Sequence, residues 1–481
     1  MYSLPTDRKT TGLLYLLSLV FILTGGLLWY YEFSYFQLLP FALLLIYTAL
    51  FKHKQLFLFV VFCTPLSLNL EELEGGISFF FPTEPLLFGI MLLLIFKYAR
   101  TGFPEPKVMS HPLALAIYFY LGWLIITVIT SVDVLVSFKS VVARVWFIIP
   151  VFFFGVPFFS DKKQIYRFVF LFLVSLCIVV IYTVIHHSTY AFGHKEGHWV
   201  MWPFFKDHTS YGAVLAMFFP IAVALYTDKK FGFITRMFIL GIIGILALGI
   251  ILSYTRAAWV SLAAAAAVWF CFVLRIKFKY LLFLGLFSGS ILWSNYVEIS
   301  HQLQKNRTES SKDLGEHVQS ISNVSSDASN LERLNRWNSA LRMFKERPIV
   351  GWGPGTYAMH YAPFQHSSEL TIISTNFGDL GNAHSEYLGP LAETGFIGLI
   401  SVLILISVMF YKGGVLYIKL KDDRLKKVVM GLYLGLVTYF THGILNNYWD
   451  TDKAAVPIWG FVAIFTAIEL YHNKSEKSAT E

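Results

Sequence analysis

The sequence predicts an all-α membrane protein that crosses the bilayer many times. Hydrophobic residues make up 56% of the 481 residues and charged residues only 14%, whereas soluble domains carry about 25% charged residues. Apolar runs long enough to cross a bilayer, about 18 residues or more, recur along the whole chain. Lysine and arginine gather in the short connections between these runs, as membrane topology produces. The net charge of +8 is therefore no indication of nucleic-acid binding, and we expect none.

The apolar runs predict about 12–14 transmembrane helices. The first run follows Arg8 and Lys9 and is longer than the core of a signal peptide, so we expect it to be retained. The three cysteines lie inside apolar runs, which indicates buried packing and not a disulfide framework or a metal site. The predicted helices span residues 11–31, 36–51, 55–70, 77–96, 113–130, 140–159, 164–185, 209–226, 233–252, 257–274, 280–296, 396–411, 428–446 and 454–471.

Charge alternates between successive connections. Basic residues fill one set of connections, for example Lys52 and Lys54, Arg275 to Lys279, and the run Lys412 to Lys427. The other set carries the acidic residues Glu71, Glu72, Glu74, Asp133, Asp379, Asp450 and Asp452. By the positive-inside rule, the basic connections and both termini are expected in the cytoplasm and the acidic connections outside.

This orientation places the longest hydrophilic stretch, residues 297–385, outside the cytoplasm. Its first half is rich in serine and asparagine. Its second half has apolar residues from Leu334 to Phe344 at three- and four-residue spacing, which predicts a short amphipathic helix. "GWGPGTY" follows from Gly351 to Tyr357, and we predict a tight turn there, since its spacing matches no nucleotide-binding loop. The predicted organisation is therefore transmembrane helices in 1–296, an external loop domain in 297–385, transmembrane helices in 386–472 and a cytoplasmic tail in 473–481.

Three arginines are expected at or near the external membrane face. Arg144 and Arg256 lie near predicted helix ends, and Arg336 lies on the external helix. Ionisable groups in transmembrane segments are costly and are candidates for function. An arginine near a helix end also extends to lipid headgroups without any further role. Together, however, the arginines favour an anion site, because guanidinium binds phosphate through paired hydrogen bonds.

His384 begins the stretch "NAHSEYLGPLAETGFIGLI", in which polar residues give way to a membrane-like run. A histidine at a helix start is often only a cap, but neutral imidazole is also the usual proton acceptor near pH 7. We predict a helix here, packed closely through Gly389, Gly395 and Gly398, that holds His384 rigidly. With a pKa near its reference value, activity that depends on neutral His384 would fall below about pH 6.

Four segments carry a resemblance to a known family. "ERLNRWNSALRMFKERPIVGWGPGTY" and "NAHSEYLGPLAETGFIGLI" together resemble the O-antigen ligase and O-antigen polymerase family of bacterial membrane glycosyltransferases. "KDHTSYGAVLAMFFP" and "LSYTRAAWVSLAAAAAVW" resemble the two preceding signatures of that family. The resemblance covers about residues 206–399.

The resemblance implies transfer of a glycan from undecaprenyl pyrophosphate to an acceptor hydroxyl at the periplasmic face of the bacterial inner membrane. The acceptor would be lipid A–core for a ligase, another lipid-linked repeat for a polymerase, or a protein hydroxyl for an oligosaccharyltransferase. Arg256, Arg336 and, less directly, Arg144 would bind the pyrophosphate, and His384 would be catalytic. The family is metal-independent, so no metal and no cofactor are expected.

Further polar residues are candidates for lining the cavity. Glu393 follows His384 by nine residues, about two and a half helical turns, so we predict no direct contact and a structural role beside a backbone amide or an arginine. The other candidates are His208, Tyr211, Tyr254 and His442.

A transporter of an anionic lipid or sugar is the alternative from another class. Intramembrane arginines suit a transporter, but transporters place charges near the bilayer midplane, within repeated halves. The polar residues of this chain gather at one face beside a large external segment, which favours an enzyme.

Overall fold

The computed structural model describes residues 8–31, 36, 39–70, 79–102, 105–276, 290, 294, 328–371, 374 and 381–473. These residues are mostly helical and form two compact units, Met1–Phe59 and Val60–Glu481. The predicted class, an all-α polytopic membrane protein, is confirmed. Most of the predicted helix 280–296 and most of the serine- and asparagine-rich stretch lie outside the described residues.

The helices follow the apolar runs closely. The helices are α1 Arg8–Tyr30, α2 Leu39–Phe51, α3 His53–Leu66, α4 Thr83–Thr101, α5 Pro106–Met109, α6 Pro112–Ile129, α7 Val134–Ile148, α8 Gly155–Phe158, α9 Lys162–Ser188, α10 His208–Tyr226, α11 Phe233–Leu252, α12 Arg256–Val273, α13 Ala328–Glu346, α14 Tyr357–His360, α15 Leu388–Lys419, α16 Asp423–His442 and α17 Asp452–Ala467. π-Helical turns at Ile149–Phe153 and Ile468–His472 extend α7 and α17, and 3₁₀ turns lie at Glu196–His198 and Ala362–Phe364. A short antiparallel pair joins β1 Leu68–Leu70 to β2 Phe79–Phe81, with Leu68 opposite Phe81.

Eight helical segments among the described residues are long and apolar enough to cross a membrane. They are Pro112–Ile129, Val134–Phe158, Lys162–Ser188, His208–Tyr226, Phe233–Leu252, Arg256–Val273, Leu388–Lys419 and Asp452–His472. Shorter apolar helices include Tyr15–Tyr30 and His53–Leu66. The helix α16 completes the bundle beside these segments and packs against α10 and α12.

The basic connections meet at one end of the bundle. Lys162 Nζ lies 2.9 Å from Asp422 Oδ2, and Arg424 Nε lies 2.8 Å from Asp228 Oδ2. At the opposite end, the Val132 amide donates to Trp352 O at 3.0 Å, so the loop after α6 contacts the glycine-rich turn. Three of the basic connections therefore meet at one end and the acidic connection after α6 lies at the other, while the assignment of each end to a side of the membrane stays a prediction.

The segment after α13 packs on the start of α15. Phe396 N donates to Pro348 O at 2.8 Å and Gly353 N donates to Glu393 O at 2.7 Å. These bonds form where α15 is interrupted at Gly395, whose φ of 70° and ψ of −169° are not helical. Glycine is required because a Cβ at this position would lie 2.1 Å from Ile349 O and positive φ is unfavourable for other residues. The prediction that Gly395 packs within a continuous helix is therefore wrong, since the residue breaks the helix and receives the turn.

The turn itself forms as predicted. Gly351, Gly353 and Gly355 all have positive φ, at 67°, 119° and 78°. A small apolar core joins this turn region to α13 and to the start of α15, and it consists of Ala340, Met343, Tyr357, Tyr361, Ala383 and Ala392. This core fixes α13 against the chain that leads to His384.

Candidate active site

His384 lies four residues before α15 and is not part of that helix. Its φ of 47° is in the left-handed region, and its amide donates to Asn382 Oδ1 at 3.0 Å. Trp337 Nε1, on α13, donates to the His384 carbonyl at 3.3 Å. The prediction that a helix holds His384 is therefore wrong. Local hydrogen bonds and α13 hold the backbone, because the polar residues before Leu388 bond to each other instead of extending the helix.

Burial and the charges around His384 set its protonation. Burial lowers the pKa of His384 to about 4, and nearby Arg333 and Arg336 add to the effect, partly offset by Glu332 and Asp207. An imidazole with this pKa is neutral throughout the physiological range, so it is able to accept a proton. The expected loss of function below about pH 6 is corrected accordingly, since protonation of the unliganded site belongs near pH 4.

Glu386 ties the His384 segment to the connection between α16 and α17. Its Oε1 accepts hydrogen bonds from the Tyr439 hydroxyl at 2.5 Å, the Tyr448 amide at 2.7 Å and the Trp449 amide at 2.9 Å. The Glu386 amide donates to Gly443 O at 2.8 Å. Burial raises the pKa of Glu386 to about 7, against the opposing hydrogen bond from Tyr439. The carboxyl group therefore positions the loop that follows His384.

Arg256 and Arg333 come from different parts of the chain and lie close enough for their charges to repel. Arg256 is the first residue of α12, where the helix dipole adds further positive potential. Arg333 Nε donates to Leu445 O at 3.2 Å, and the charge of Arg333 also interacts with Tyr448 and Asp207. Two cations held together in this way create a strong attraction for an anion.

Arg336 lies one turn after Arg333 on α13 and has a different environment. Its Nε lies 2.6 Å from Glu332 Oε1, and both side chains are buried. Its guanidinium lies 4.0 Å from the centre of the Tyr361 ring, and its carbonyl accepts from the Tyr357 hydroxyl at 2.7 Å. Arg336 thus has a partner of opposite charge beside the small apolar core, although its Nη1 has no hydrogen-bond partner among the residues that the structure describes.

Arg144 lies beside a separate cavity of about 150 Å³. Three acidic residues also line this cavity, Glu386, Glu393 and Asp450. Asp450 and Glu393 are close enough to interact with the Arg144 charge. Glu393 Oε1 accepts from the Tyr357 amide at 3.2 Å, so its role is to hold the turn as well as to line the wall.

The four remaining candidates do not line this cavity. Tyr211 is buried between helices and makes an edge contact with Phe205. His442 Nε2 lies 3.0 Å from Asn446 Nδ2. Tyr254 and His208 lie at the arginine side of the site, in a cluster of neighbouring rings in which His208 stacks on His198 with ring centres 4.2 Å apart.

The ring cluster next to Tyr254 has no metal-binding geometry. His194, His198 and His208 are neighbours through their rings. His208 directs Nδ1 to Ser253 O at 2.9 Å. In the part of the chain that the structure describes, no three His, Cys, Asp or Glu residues are placed to share an ion.

Comparison with known proteins shows a family match for the region that contains these residues. Residues 239–403, which contain Arg256, Arg333 and His384, match the family model described as O-antigen ligase. The predicted resemblance to this family is confirmed for these residues. Over 80 residues it is also 32% identical to an uncharacterized protein of Haemophilus influenzae. That match covers 16% of this chain and only 19% of the relative, so the chain aligns with about a fifth of that protein.

The O-antigen ligase family region contains most of the site but not all of it. Arg144, Asp207 and Asp450 lie outside the matched residues and reach the site through the fold. Sequence reasoning missed Arg333 because "RLNRW" offers two arginines, and Trp337 drew attention to its immediate neighbour. The periodicity held a signal, since Arg333 and Trp337 are four residues apart and share a helix face, whereas Arg336 points elsewhere.

Proposed function

We propose that this protein transfers a glycan from undecaprenyl pyrophosphate to an acceptor hydroxyl, with Arg256 and Arg333 binding the pyrophosphate and His384 accepting the proton. The observation that carries the proposal is the convergence of two mutually repelling arginines and a neutral histidine. A pyrophosphate compensates the repulsion, and guanidinium groups suit its oxygens through paired hydrogen bonds. The family relationship of residues 239–403 supports the same chemistry.

The proposed step is one substitution at the anomeric carbon of the carried sugar. The acceptor oxygen forms a bond to that carbon while the bond from the carbon to the phosphate oxygen breaks with its electron pair. The proton of the acceptor hydroxyl passes to His384, and undecaprenyl pyrophosphate leaves as an anion. Negative charge grows on the leaving oxygen, so fixed cations at Arg256 and Arg333 stabilise the transition state more than the ground state.

Lipid A–core is the acceptor we favour, which makes the protein an O-antigen ligase of the bacterial inner membrane with a periplasmic site. A lipid-linked repeat or a protein hydroxyl would make it a polymerase or an oligosaccharyltransferase. The test is purified protein in liposomes with the lipid-linked donor and each acceptor in turn. Release of undecaprenyl pyrophosphate together with a glycosylated acceptor supports the proposal, and movement of the donor across the bilayer without chemistry contradicts it.

The proposed orientation has its own test. Ser368 is exposed at the His384 end of the bundle, and Ser160 is exposed near the basic end. In a variant without the three natural cysteines, Ser368→Cys should react in intact cells with a thiol reagent that does not cross the inner membrane. Ser160→Cys, the matched control, should react only after the inner membrane is opened. The reverse pattern would place the site in the cytoplasm.

A further inference from the structure

The acidic cavity beside Arg144 is separate from the arginine pair. Asn382, Ala383, Ser385 and Glu386 line it, but His384 does not. The charges that act on His384 come from Arg333, Arg336, Glu332 and Asp207, and none of these lines the cavity. The chain segment that carries His384 therefore has different surroundings on its two sides.

Charge excludes pyrophosphate from this cavity. Its one basic residue, Arg144, shares the wall with the acidic residues Glu386, Glu393 and Asp450. Asp450 and Glu393 already act on the Arg144 charge, so the guanidinium has no surplus positive charge for a second anion. An anionic ligand would meet like charges here, which is unfavourable at short range.

The wall offers hydrogen-bonding groups of both kinds without partners. Asn447 Oδ1, an acceptor, and Trp449 Nε1, a donor, are buried and make no hydrogen bond within the protein. Both residues line the cavity. Buried polar groups are normally paired, so two groups at one cavity that have no partner among the described residues indicate a ligand with both donors and acceptors, such as a hydroxyl-bearing molecule.

The cavity also has aromatic side chains in its wall and a volume that limits the size of a ligand. Trp449 is parallel to Tyr120, with ring centres 6.4 Å apart, and stacks on Trp459 at 5.5 Å. The volume of about 150 Å³ has room for about ten water-sized groups, which is the scale of a single sugar ring. Carboxylates, an amide, an indole N–H and aromatic rings suit the hydroxyls and the apolar face of such a ring.

We propose that the cavity beside Arg144 binds a sugar ring of one of the two substrates, and that Arg144 organises its acidic wall and binds no pyrophosphate. The inference rests on the proposed transfer function and identifies a second subsite for it. The acceptor sugar and the sugar nearest the carrier share this chemistry, so the experiment must distinguish them. A ring in this cavity would lie across the His384 segment from the pyrophosphate.

The test uses Trp449→Phe, which keeps an aromatic ring but removes the unpaired N–H together with part of the indole surface. Trp146→Phe is the matched control, because Trp146 also has a buried N–H without a partner but does not line the cavity. Loss of one neutral hydrogen bond should raise the KM for the sugar-bearing substrate about two- to tenfold. Binding of glycan-free undecaprenyl pyrophosphate to protein in nanodiscs should not change, and Trp146→Phe should match the wild type in both measurements.

The two KM values identify the source of the ring. A rise in the acceptor KM alone places the acceptor sugar in the cavity, and a rise in the donor KM with unchanged carrier binding places the donor sugar there. Weaker binding of glycan-free carrier by Trp449→Phe or Arg144→Gln, or unchanged KM values for both substrates in Trp449→Phe, would overturn the subsite. Failure of the wild-type protein to transfer glycan at all would instead contradict the proposed function.

Discussion

Replacing Arg333 with lysine should lower glycan transfer and leave stability unchanged. Lysine keeps the positive charge but lacks the paired donors of guanidinium, so one charged hydrogen bond to the pyrophosphate is lost. Such a bond is worth about 1.5–3 kcal/mol, which corresponds to about a ten- to hundredfold lower rate. The hydrogen bond from Arg333 Nε to Leu445 O lies on a part-buried loop and lysine keeps the positive charge, so the thermal unfolding midpoint in detergent should move little.

Arg336, one turn further along α13, provides the contrast. Replacing Arg336 with glutamine leaves Glu332 buried without its counter-charge, and breaking a buried pair costs about 3–5 kcal/mol of stability. The double variant Glu332→Gln, Arg336→Gln removes both charges and keeps amide hydrogen bonding, so it should regain most of the stability and most of the transfer activity.

The assay is transfer in liposomes beside the unfolding midpoint of each variant. A stable double variant that stays inactive would show that Arg336 itself contacts the substrate. Wild-type activity in a stable Arg333→Lys variant would refute the assignment of the pyrophosphate to Arg256 and Arg333.

Three more predictions concern the same region. With the pKa of His384 lowered to about 4, kcat/KM should stay level from pH 7 to pH 5 and decline only near pH 4, measured in a Glu386→Gln variant so that Glu386, with a pKa of about 7, does not titrate in this range. A bend near pH 6.5 would contradict this environment of His384. His384→Ala should lose about a hundred- to ten-thousandfold in rate at every pH. Glu386→Gln should keep the unfolding midpoint, since its carbonyl accepts the same donors, whereas Glu386→Ala leaves two amides and a hydroxyl unpaired at about 1–3 kcal/mol each; equal midpoints would show that the connection needs no such support. Gly395→Ala should lower the free energy of unfolding by at least about 1–3 kcal/mol, because alanine is strained at positive φ and its Cβ would clash with Ile349 O. The matched control Gly241→Ala lies on a helix with open space around it, so its stability should match or exceed that of the wild type.

The sequence was a good guide to the membrane helices because one physical signal determines them. A bilayer demands long apolar segments with internal hydrogen bonds, so α11 was predicted with the bounds that the structure shows, Phe233–Leu252. The start of α15 was harder to predict. Helical propensity favours a continuous helix after His384, and only the contact between Gly395 and the distant Ile349 carbonyl reveals the break.

The site was predicted in part for a similar reason. Arg256 and His384 stand at boundaries between polar and apolar sequence, where a single residue is conspicuous. Arg333 and Arg336 differ in their partners, because the carboxylate of Glu332 pairs with Arg336 and not with Arg333. The sequence does not show this difference, so Arg333 was overlooked. Glu386 and Asp450 acquire their positions through contacts between segments more than sixty residues apart along the chain, such as the bond from Trp449 to Glu386, and no local pattern encodes these.

Arg333, which we propose binds pyrophosphate, also weakens the base that the proposed reaction needs. In the unliganded protein, Arg333 and Arg336 help burial to lower the pKa of His384 to about 4, so the imidazole is a poor proton acceptor. A bound pyrophosphate brings negative charge to Arg256 and Arg333, which offsets their effect and raises the pKa of the imidazole. Charge that grows on the leaving oxygen during the reaction raises it further. The basicity of His384 would thus increase only when the donor is present and its bond is breaking, so that proton transfer and departure of the carrier assist each other.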